Sequence, residues 1–266
     1  MPSPDRTFAG SIPTIYDRYL KPLLFGPYAA DIAERIAALD PRTILETAAG
    51  TGLVTEVLSE RLPKAQLMVT DLNEPMLALA AAKIEGPQVQ FVQADAQSLP
   101  FEEGSFEAVV CQFGAMFFPD RVAAYREARR VLTPDGHFVF NVWDRIEANP
   151  ATQVAADAVC GLFRSDPPRF FHRIPFGYHD AHRVKEDLAA AGFQDITWQT
   201  VRTIGRAESP MAAAIGLCQG TPLRNEIEAR GDLPLATQIA ADALLERFGS
   251  GPVEATMSAH VFSARA

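Results

Sequence analysis

Ile44-Leu45-Glu46-Thr47-Ala48-Ala49-Gly50-Thr51-Gly52 reads as a short buried strand that breaks into a turn of small residues. Apolar Ile44 and Leu45 follow a Pro-Arg-Thr turn, and Glu46 marks the carboxyl end of the strand. Ala48, Ala49, Gly50 and Gly52 carry little or no side chain, so a ligand can lie against the backbone. A helix is expected at once, from Leu53 to about Leu62. Open α/β sheets bind nucleotide-like ligands at βα turns of this kind.

Outward from that turn, strands alternate with helical stretches of about ten residues. Gln66–Thr70 is a second buried strand ending at Asp71. Asn73-Glu74-Pro75 opens a helix, with Asn73 as N-cap and Pro75 in the first turn. Val89–Gln93 leads to Ala94-Asp95-Ala96, and Phe106–Cys111 to Gln112-Phe113-Gly114. Arg121–Leu132 is helical, Thr133-Pro134-Asp135-Gly136 is a turn, and His137–Trp143 ends in Asp144. This rhythm implies a parallel sheet with right-handed crossovers.

The flanks differ. Residues 1–28 are rich in Pro, Gly and aromatics and are expected to dock as a short helical arm. Helical spacing then runs from Tyr28 to Leu39 and closes at Asp40-Pro41. Asn149–Arg164 is expected to be helical, and 165–180 to be an aromatic loop of the kind that forms a lid or binding loop. A helix follows at Ala181–Ala191, then a strand at Ile196–Val201. Helices broken at Gly216, Gly220-Thr221-Pro222 and Gly231 fill 207–250, and Ala255–Ala264 is the last strand. The expected fold is α/β: a Rossmann-like, seven-stranded, mostly parallel sheet with helices on both faces. Its last strand is antiparallel. A single domain covers 1–266, with an N-terminal arm at 1–40, a core at 43–144 and helical lid insertions at 145–180 and 207–250.

Composition narrows the function. The chain has 266 residues, 48% of them hydrophobic, enough for a full core. A formal net charge of −9 argues against sequence-independent nucleic-acid binding, which needs a Lys/Arg surface. Cys111, Cys160 and Cys218 have no metal-ligand spacing, and a reduced cytoplasmic setting fits them best. The Met-Pro-Ser-Pro-Asp-Arg start has no apolar signal region, and no apolar run is long enough to span a membrane. A monomer or homodimer without a metal is expected.

Three acids, Glu46, Asp71 and Asp95, stand at or just past the ends of the first three strands, about 25 residues apart. They line one crevice edge, where carboxylates can accept from an amine, ribose hydroxyls and an adenine amino group. With Val69-Thr70-Asp71-Leu72-Asn73, Ala94-Asp95-Ala96, Leu99-Pro100-Phe101, Ser105-Phe106-Glu107-Ala108-Val109-Val110 and Arg130-Val131-Leu132-Thr133-Pro134-Asp135-Gly136, the opening motif forms an ordered set. From about Thr43 to Asp144 it resembles class I S-adenosylmethionine-dependent methyltransferases of the small-molecule branch, the ubiquinone/menaquinone C-methylase-like type 11 enzymes.

The resemblance implies S-adenosyl-L-methionine as cofactor and a small, partly apolar methyl acceptor. It implies that Ala48, Gly50 and Gly52 let backbone approach the methionine part, with Glu46 near its amino group. Asp71 would hold the ribose hydroxyls, Leu72 and Met76 would flank the adenine, and Asp95 would meet its amino group beside Ala96. Gln112 would be near the methionine moiety, and Tyr16, with Tyr19, would close over the cofactor, with ordinary packing as the competing role for both tyrosines. The family usually has Gly where this chain has Ala48, so the backbone there must suit Ala.

Two other readings stay open: a non-catalytic binder of S-adenosylmethionine or S-adenosylhomocysteine, and a nucleotide-dependent oxidoreductase. The last is weakened because only Gly50 and Gly52 of a G-x-G-x-x-G are present, with Thr55 and Glu56 in the places beyond, and Glu46 would repel a pyrophosphate. If the acceptor arrives protonated, base candidates are His172, His179, His182 and Asp144, with His172 leading because it lies in the aromatic loop. His137 is at the wrong end of its strand. Phe113, Phe117, Trp143 and Phe171 are expected to wall the acceptor, and packing alone is the competing role for each.

Overall fold

The computed structural model describes residues 4–266. Seven strands form one sheet: β1 (Thr43–Glu46), β2 (Gln66–Asp71), β3 (Val89–Gln93), β4 (Phe106–Gln112), β5 (Leu132–Trp143), β6 (Gln194–Ala207) and β7 (Val253–Arg265). Their order is β3-β2-β1-β4-β5-β7-β6. Pairing is parallel from β3 through β5, and β7 runs antiparallel to β5. The chain starts at β1, walks outward to β3, then returns to pair β4 on the other flank of β1. That reversal sets the switch point at the carboxyl end of β1, where an α/β crevice forms.

The helices are α1 (Ile12–Ile15), α2 (Gly26–Ala37), α3 (Leu53–Arg61), α4 (Glu74–Lys83), α5 (Arg121–Val131), α6 (Pro150–Leu162), α7 (Phe170–Arg173), α8 (Ala181–Ala190), α9 (Pro210–Gln219), α10 (Leu223–Glu228) and α11 (Leu233–Phe248). The chain divides into two compact units. One holds the residues up to Pro27, with Asp144–Gly177 and Arg202–Ser258; the other holds Tyr28–Trp143, Tyr178–Val201 and Ala259–Ala266.

In the unit bearing β1–β5, side chains alternate across the pleat. Ile44, Val69, Val110 and Val139 join Ile32, Ile36, Val54 and Leu58 in one core layer. On the opposite face Phe138 stacks on Phe140, Phe140 on Phe262, and Tyr125 packs against both Phe138 and Phe140. Aromatic residues supply large apolar area there.

In the other unit, Pro22 lies inside Tyr16–Phe25, which winds with wider, π-type turns. Proline has no N–H to give the ordinary ladder. The Gly26 N–H reaches back five residues to the Lys21 carbonyl. Arg173 bridges Asp5 and Glu226, each at 2.6 Å.

Several local expectations need correction. The N-terminal segment is helical as expected, with a short turn at Pro4–Arg6 and helix from Ile12 onward, but the helix expected to start at Tyr28 starts at Gly26 and ends at Ala37. Gly216 does not break its helix: it sits within α9, where a Cβ would lie 2.8 Å from Leu20 Cδ2 and 3.0 Å from Tyr19 Cβ. Close approach of two helices, rather than a stop, explains that glycine. Asn73 occupies the N-cap position of α4 without a side-chain cap bond, because its amide turns toward Asp71. Thr133–Gly136 is absorbed into β5 as an irregularity between the Phe106–Leu132 and Ala108–His137 pairs. Asp135 takes φ +69° there. Strand β6 is longer than expected, Gln194–Ala207. The stretch 165–180 contains α7, and Phe170, Phe171, Phe176 and Tyr178 are buried. Apolar rings in a loop find the core when it is within reach.

Candidate active site

Strand β1 is only four residues long, and Thr47 closes it by donating its N–H to the Val110 carbonyl at 2.9 Å. The chain then turns through three left-handed residues: Ala48 (φ +52°), Gly50 (φ +59°) and Gly52 (φ +81°). A Cβ on Gly52 would meet Ile84 Cδ1 at 2.6 Å and Ala80 Cβ at 2.9 Å, so α4 approaches too closely for any side chain. Gly50 has Met76 Cε nearby, 3.6 Å from the position a Cβ would take.

Ala48 is the departure from the family pattern, and Gly114 accommodates it. A Cβ on Gly114 would lie 2.5 Å from the Ala48 Cβ and 2.7 Å from Cys111 Sγ. The methyl group missing at 114 leaves room for the one present at 48. The left-handed backbone at Ala48 costs about 1–2 kcal/mol, so the turn is held against strain by its surroundings.

Glu46 is buried, 1% exposed, and its Oε2 accepts from Thr55 Oγ1 at 2.5 Å. Burial pushes its carboxyl up to about 8; the Thr55 hydrogen bond opposes this, and the neighbouring Asp71 charge adds to it. Asp71 Oδ2 accepts from Gly50 N at 2.8 Å, and Oδ1 from Asn73 N at 2.7 Å. Burial raises its pKa too, against the backbone donors that lower it. The two-residue offset between strands is a staircase. Glu46 pairs with Val69, two residues before Asp71; Asp71 pairs with Gln93, two residues before Asp95. Each acid is set about 6–7 Å further along the strand direction than the last, which suits an elongated ligand. Asp95 is half-buried and held by Gln97, from its backbone N–H at 2.9 Å and from its side-chain amide.

Leu72 is half-buried and Met76 is 4% exposed. Ala96 is half-buried beside Asp95. Gln112 closes β4, and Phe113 follows at φ +50°. The Phe113 ring stacks on Trp143 with centroids 3.8 Å apart, and Tyr28 meets both rings edge-on. Phe117 lies on the short turn Ala115–Phe117. Cys111 is buried, and its thiol is pushed up to about 12 by burial, consistent with an inert core residue.

One unit thus brings together Glu46, Ala48, Gly50, Gly52, Asp71, Leu72, Met76, Asp95, Ala96, Gln112, Phe113, Phe117 and Trp143. Tyr16, Phe171 and His172 belong to the other unit. There Tyr16 stacks on Phe25 at 4.9 Å, Phe171 packs against Phe170 and Phe176, and His172 is half-buried on α7. Asp144, a base candidate, accepts from Ser258 Oγ at 2.8 Å and from Arg145 N at 2.7 Å. His182 is exposed and stands edge-on to Trp198.

Sequence reasoning missed Thr55, Gly114 and Asn141. Thr55 lies in the first turn of α3, three residues past Gly52, at a spacing that could have shown it facing Glu46. Asn141 is the one polar residue in the run Phe138–Trp143, and strand alternation puts it on the Glu46 face. No local signal marks Gly114.

The buried carboxylates and the side-chain-free turn suit a cationic ligand bearing a ribose and an amine. Comparison with known proteins agrees. The methyltransferase domain family matches residues 45–140. The demethylmenaquinone methyltransferase of Thermus thermophilus is 42% identical over 132 residues, 47% of this chain and 59% of that protein. Phosphoethanolamine N-methyltransferase 2 of Haemonchus contortus, solved with phosphomonomethylethanolamine and S-adenosylhomocysteine, superimposes with TM-score 0.64 at 15% identity. It covers 98% of this chain and 59% of its own. The [4+2]-cyclase SpnF superimposes with TM-score 0.59 at 21% identity, covering 91% of this chain and 81% of its own. These structures share the fold.

Over residues 45–140 the chain is similar to the methyltransferase domain family. Its sequence relatives include demethylmenaquinone methyltransferases and ubiquinone/menaquinone C-methyltransferases. It spans about half the length of the curated relatives it matches. Among the described residues no helix is long and apolar enough to cross a membrane.

Proposed function

We propose that this protein transfers the methyl group of S-adenosylmethionine to a small, partly apolar acceptor. The observation that carries the reading is the staircase of Glu46, Asp71 and Asp95 around the turn of Ala48, Gly50 and Gly52. In this reading Glu46 holds the ammonium group, Asp71 the ribose hydroxyls and Asp95 the adenine amino group. Leu72 and Met76 flank the base, and the Ala96 backbone borders it. Gln112 faces the methionine part. When bound, the sulfonium supplies an activated methyl for in-line displacement.

The chain's own work is alignment and exclusion of water. Glu46 and Asp71 are well suited to it because neither can move far: Thr55, Gly50 and Asn73 hold them. Phe113, Phe117 and Trp143 form an aromatic wall beyond the cofactor. The relatives named for demethylmenaquinone make quinols the first acceptors to test, followed by phenols and amines. The compartment proposed is the cytoplasm, with no nucleic-acid partner, in keeping with the net charge of −9.

Asp71→Ala is expected to weaken S-adenosylhomocysteine binding ten- to a hundredfold, about 1.5–3 kcal/mol for lost charge-assisted hydrogen bonds. Calorimetry measures it, and unchanged affinity refutes the ribose role. NADH is expected to give no heat. Turnover of any quinol, phenol or amine with the methyl donor separates an enzyme from a non-catalytic binder.

A further inference from the structure

Arg121 is the first residue of α5, and the first turn of that helix holds no acid. Helix N-termini carry partial positive charge, so a cation there adds to charge of the same sign. Asp120, the N-cap, turns its carboxylate to the helix: its Oδ1 accepts the Ala123 N–H at 2.9 Å. Arg121 is half-buried. Its guanidinium lies over the Tyr178 ring, 4.1 Å from the centroid, and gives one long hydrogen bond, from Nη2 to the Met116 carbonyl at 3.4 Å. Nε is buried and has no hydrogen-bond partner. Among the described residues no carboxylate pairs with Arg121. Asp187, which accepts from the Tyr178 hydroxyl at 2.8 Å, pairs with Arg183 instead, at 3.1 Å.

Arginines withdrawn from water are ordinarily paired, because the cation needs an opposite charge and its N–H groups need acceptors. Arg121 has a ring and one carbonyl. Both hold it in place and neither neutralises it. The two oxygens of a carboxylate match its planar fork.

Arg121 is anchored at the rim of the crevice. Asp120 N donates to Gln97 Oε1 at 3.0 Å, and Gln97 holds Asp95. Met116 lies on the turn Ala115–Phe117, just past the carboxyl end of β4. Phe117 is its neighbour. The Phe113–Trp143 stack, with Phe113 N held by Asn141 Oδ1 at 2.8 Å, adds apolar surface in the same unit. The cofactor's amino-acid end, read at Glu46, is elsewhere. Strand alternation puts Glu46 on the face of Ile44, which α2 and α3 cover. Helix α5 packs on the opposite face, through Tyr125 against Phe138 and Phe140.

We propose that Arg121 binds a carboxylate carried by the methyl acceptor, which makes the acceptor an apolar acid. This rests on the methyltransferase reading and adds the acceptor's charge to it. Tyr178 keeps the guanidinium in place before the acid arrives, so little order is lost on binding. A neutral analogue of the same shape leaves Arg121 unpaired and is rejected.

The test uses the full chain saturated with S-adenosylhomocysteine and labelled with 15N on arginine. The probes are benzoate, its neutral isostere benzamide, and acetate, at one ionic strength. Benzoate is expected to bind at least about tenfold tighter than benzamide or acetate. It is also expected to move the Arg121 Nε–H signal, identified by its loss in Arg121→Gln. In that variant benzoate falls to the affinity of benzamide, while S-adenosylhomocysteine affinity stays within about twofold. If Arg121→Gln does not fold, Arg121→Lys identifies the signal and the wild-type preference decides. No binding of benzoate, equal affinity for benzoate and benzamide, or a signal that does not move overturns the proposal. Acetate binding as tightly as benzoate also overturns it, by marking a site for free anions. A larger loss of S-adenosylhomocysteine affinity in the variant overturns it too, by giving Arg121 to the cofactor's own carboxylate. Failure of the wild-type chain to bind S-adenosylhomocysteine would instead overturn the methyltransferase reading.

Discussion

Glu46 shows how one buried side chain can report on its ligand. Its folded-state pKa of about 8 lies above the ordinary value near 4.5. The folded chain therefore holds a proton there that the unfolded chain has lost. That contribution to stability is complete below about pH 4.5 and disappears as pH rises through about 8. An ammonium group brought beside Glu46 reverses the preference and drives the proton off. At pH 7, binding of S-adenosylhomocysteine is expected to release about one proton from Glu46. Calorimetry in buffers of different ionisation enthalpy reads the number, and Glu46→Gln should reduce it. A buffer-independent heat would count against the amine assignment.

Ala48 and Gly114 form a second residue-scale pair. Gly114→Ala puts one methyl against another at 2.5 Å. Overpacking of this kind costs about 1–3 kcal/mol. The variant should lose S-adenosylhomocysteine affinity, and adding Ala48→Gly should restore part of it. No loss in the single variant, by calorimetry, would mean that the turn shifts freely.

At the scale of elements, the structure depends on where backbone meets backbone. β6 passes Leu23 so closely at Gly205 that a Cβ would lie 1.9 Å from the Leu23 carbonyl oxygen and 2.9 Å from Met257 Sδ. A backbone oxygen cannot rotate away as a side chain can. Gly205→Ala is expected to destabilise its unit by about 3 kcal/mol. Urea titration followed by circular dichroism checks this, and a midpoint within error of wild type would contradict it. The same logic explains Gly216 inside α9. Both glycines mark a neighbour far away in sequence, so local pattern alone reads one as a helix break and passes over the other.

For the whole molecule, the site residues come from β1, β2, β4, β5, the turns after β1 to β4, and the first turn of α4. A ligand bound there couples to the folding of the unit that contains them. At a hundred times its dissociation constant, S-adenosylhomocysteine should stabilise that unit by about 2.7 kcal/mol. For a chain of this size the melting temperature rises by roughly 5–10 °C. Scanning calorimetry measures the shift. If the two units melt separately, the transition that moves should be the one lost in Asp71→Ala.

Much of this was legible before any coordinates. Short apolar runs, helical spacing between them and acids at successive strand ends are local, and local backbone preference ties them to the α/β sheet and its crevice. The sequence by itself determined the parallel core, its turn at Gly50-Thr51-Gly52 and the roles open to Glu46, Asp71 and Asp95. Tertiary structure alone decided the rest. It set Thr55 on Glu46, matched Gly114 to Ala48 and sent the aromatics of 165–180 inward. It also set the Arg121 guanidinium over the Tyr178 ring. These depend on contacts between segments as much as 66 residues apart (Ala48 and Gly114). Packing decides such contacts by distance in space, and spacing along the chain carries no trace of it.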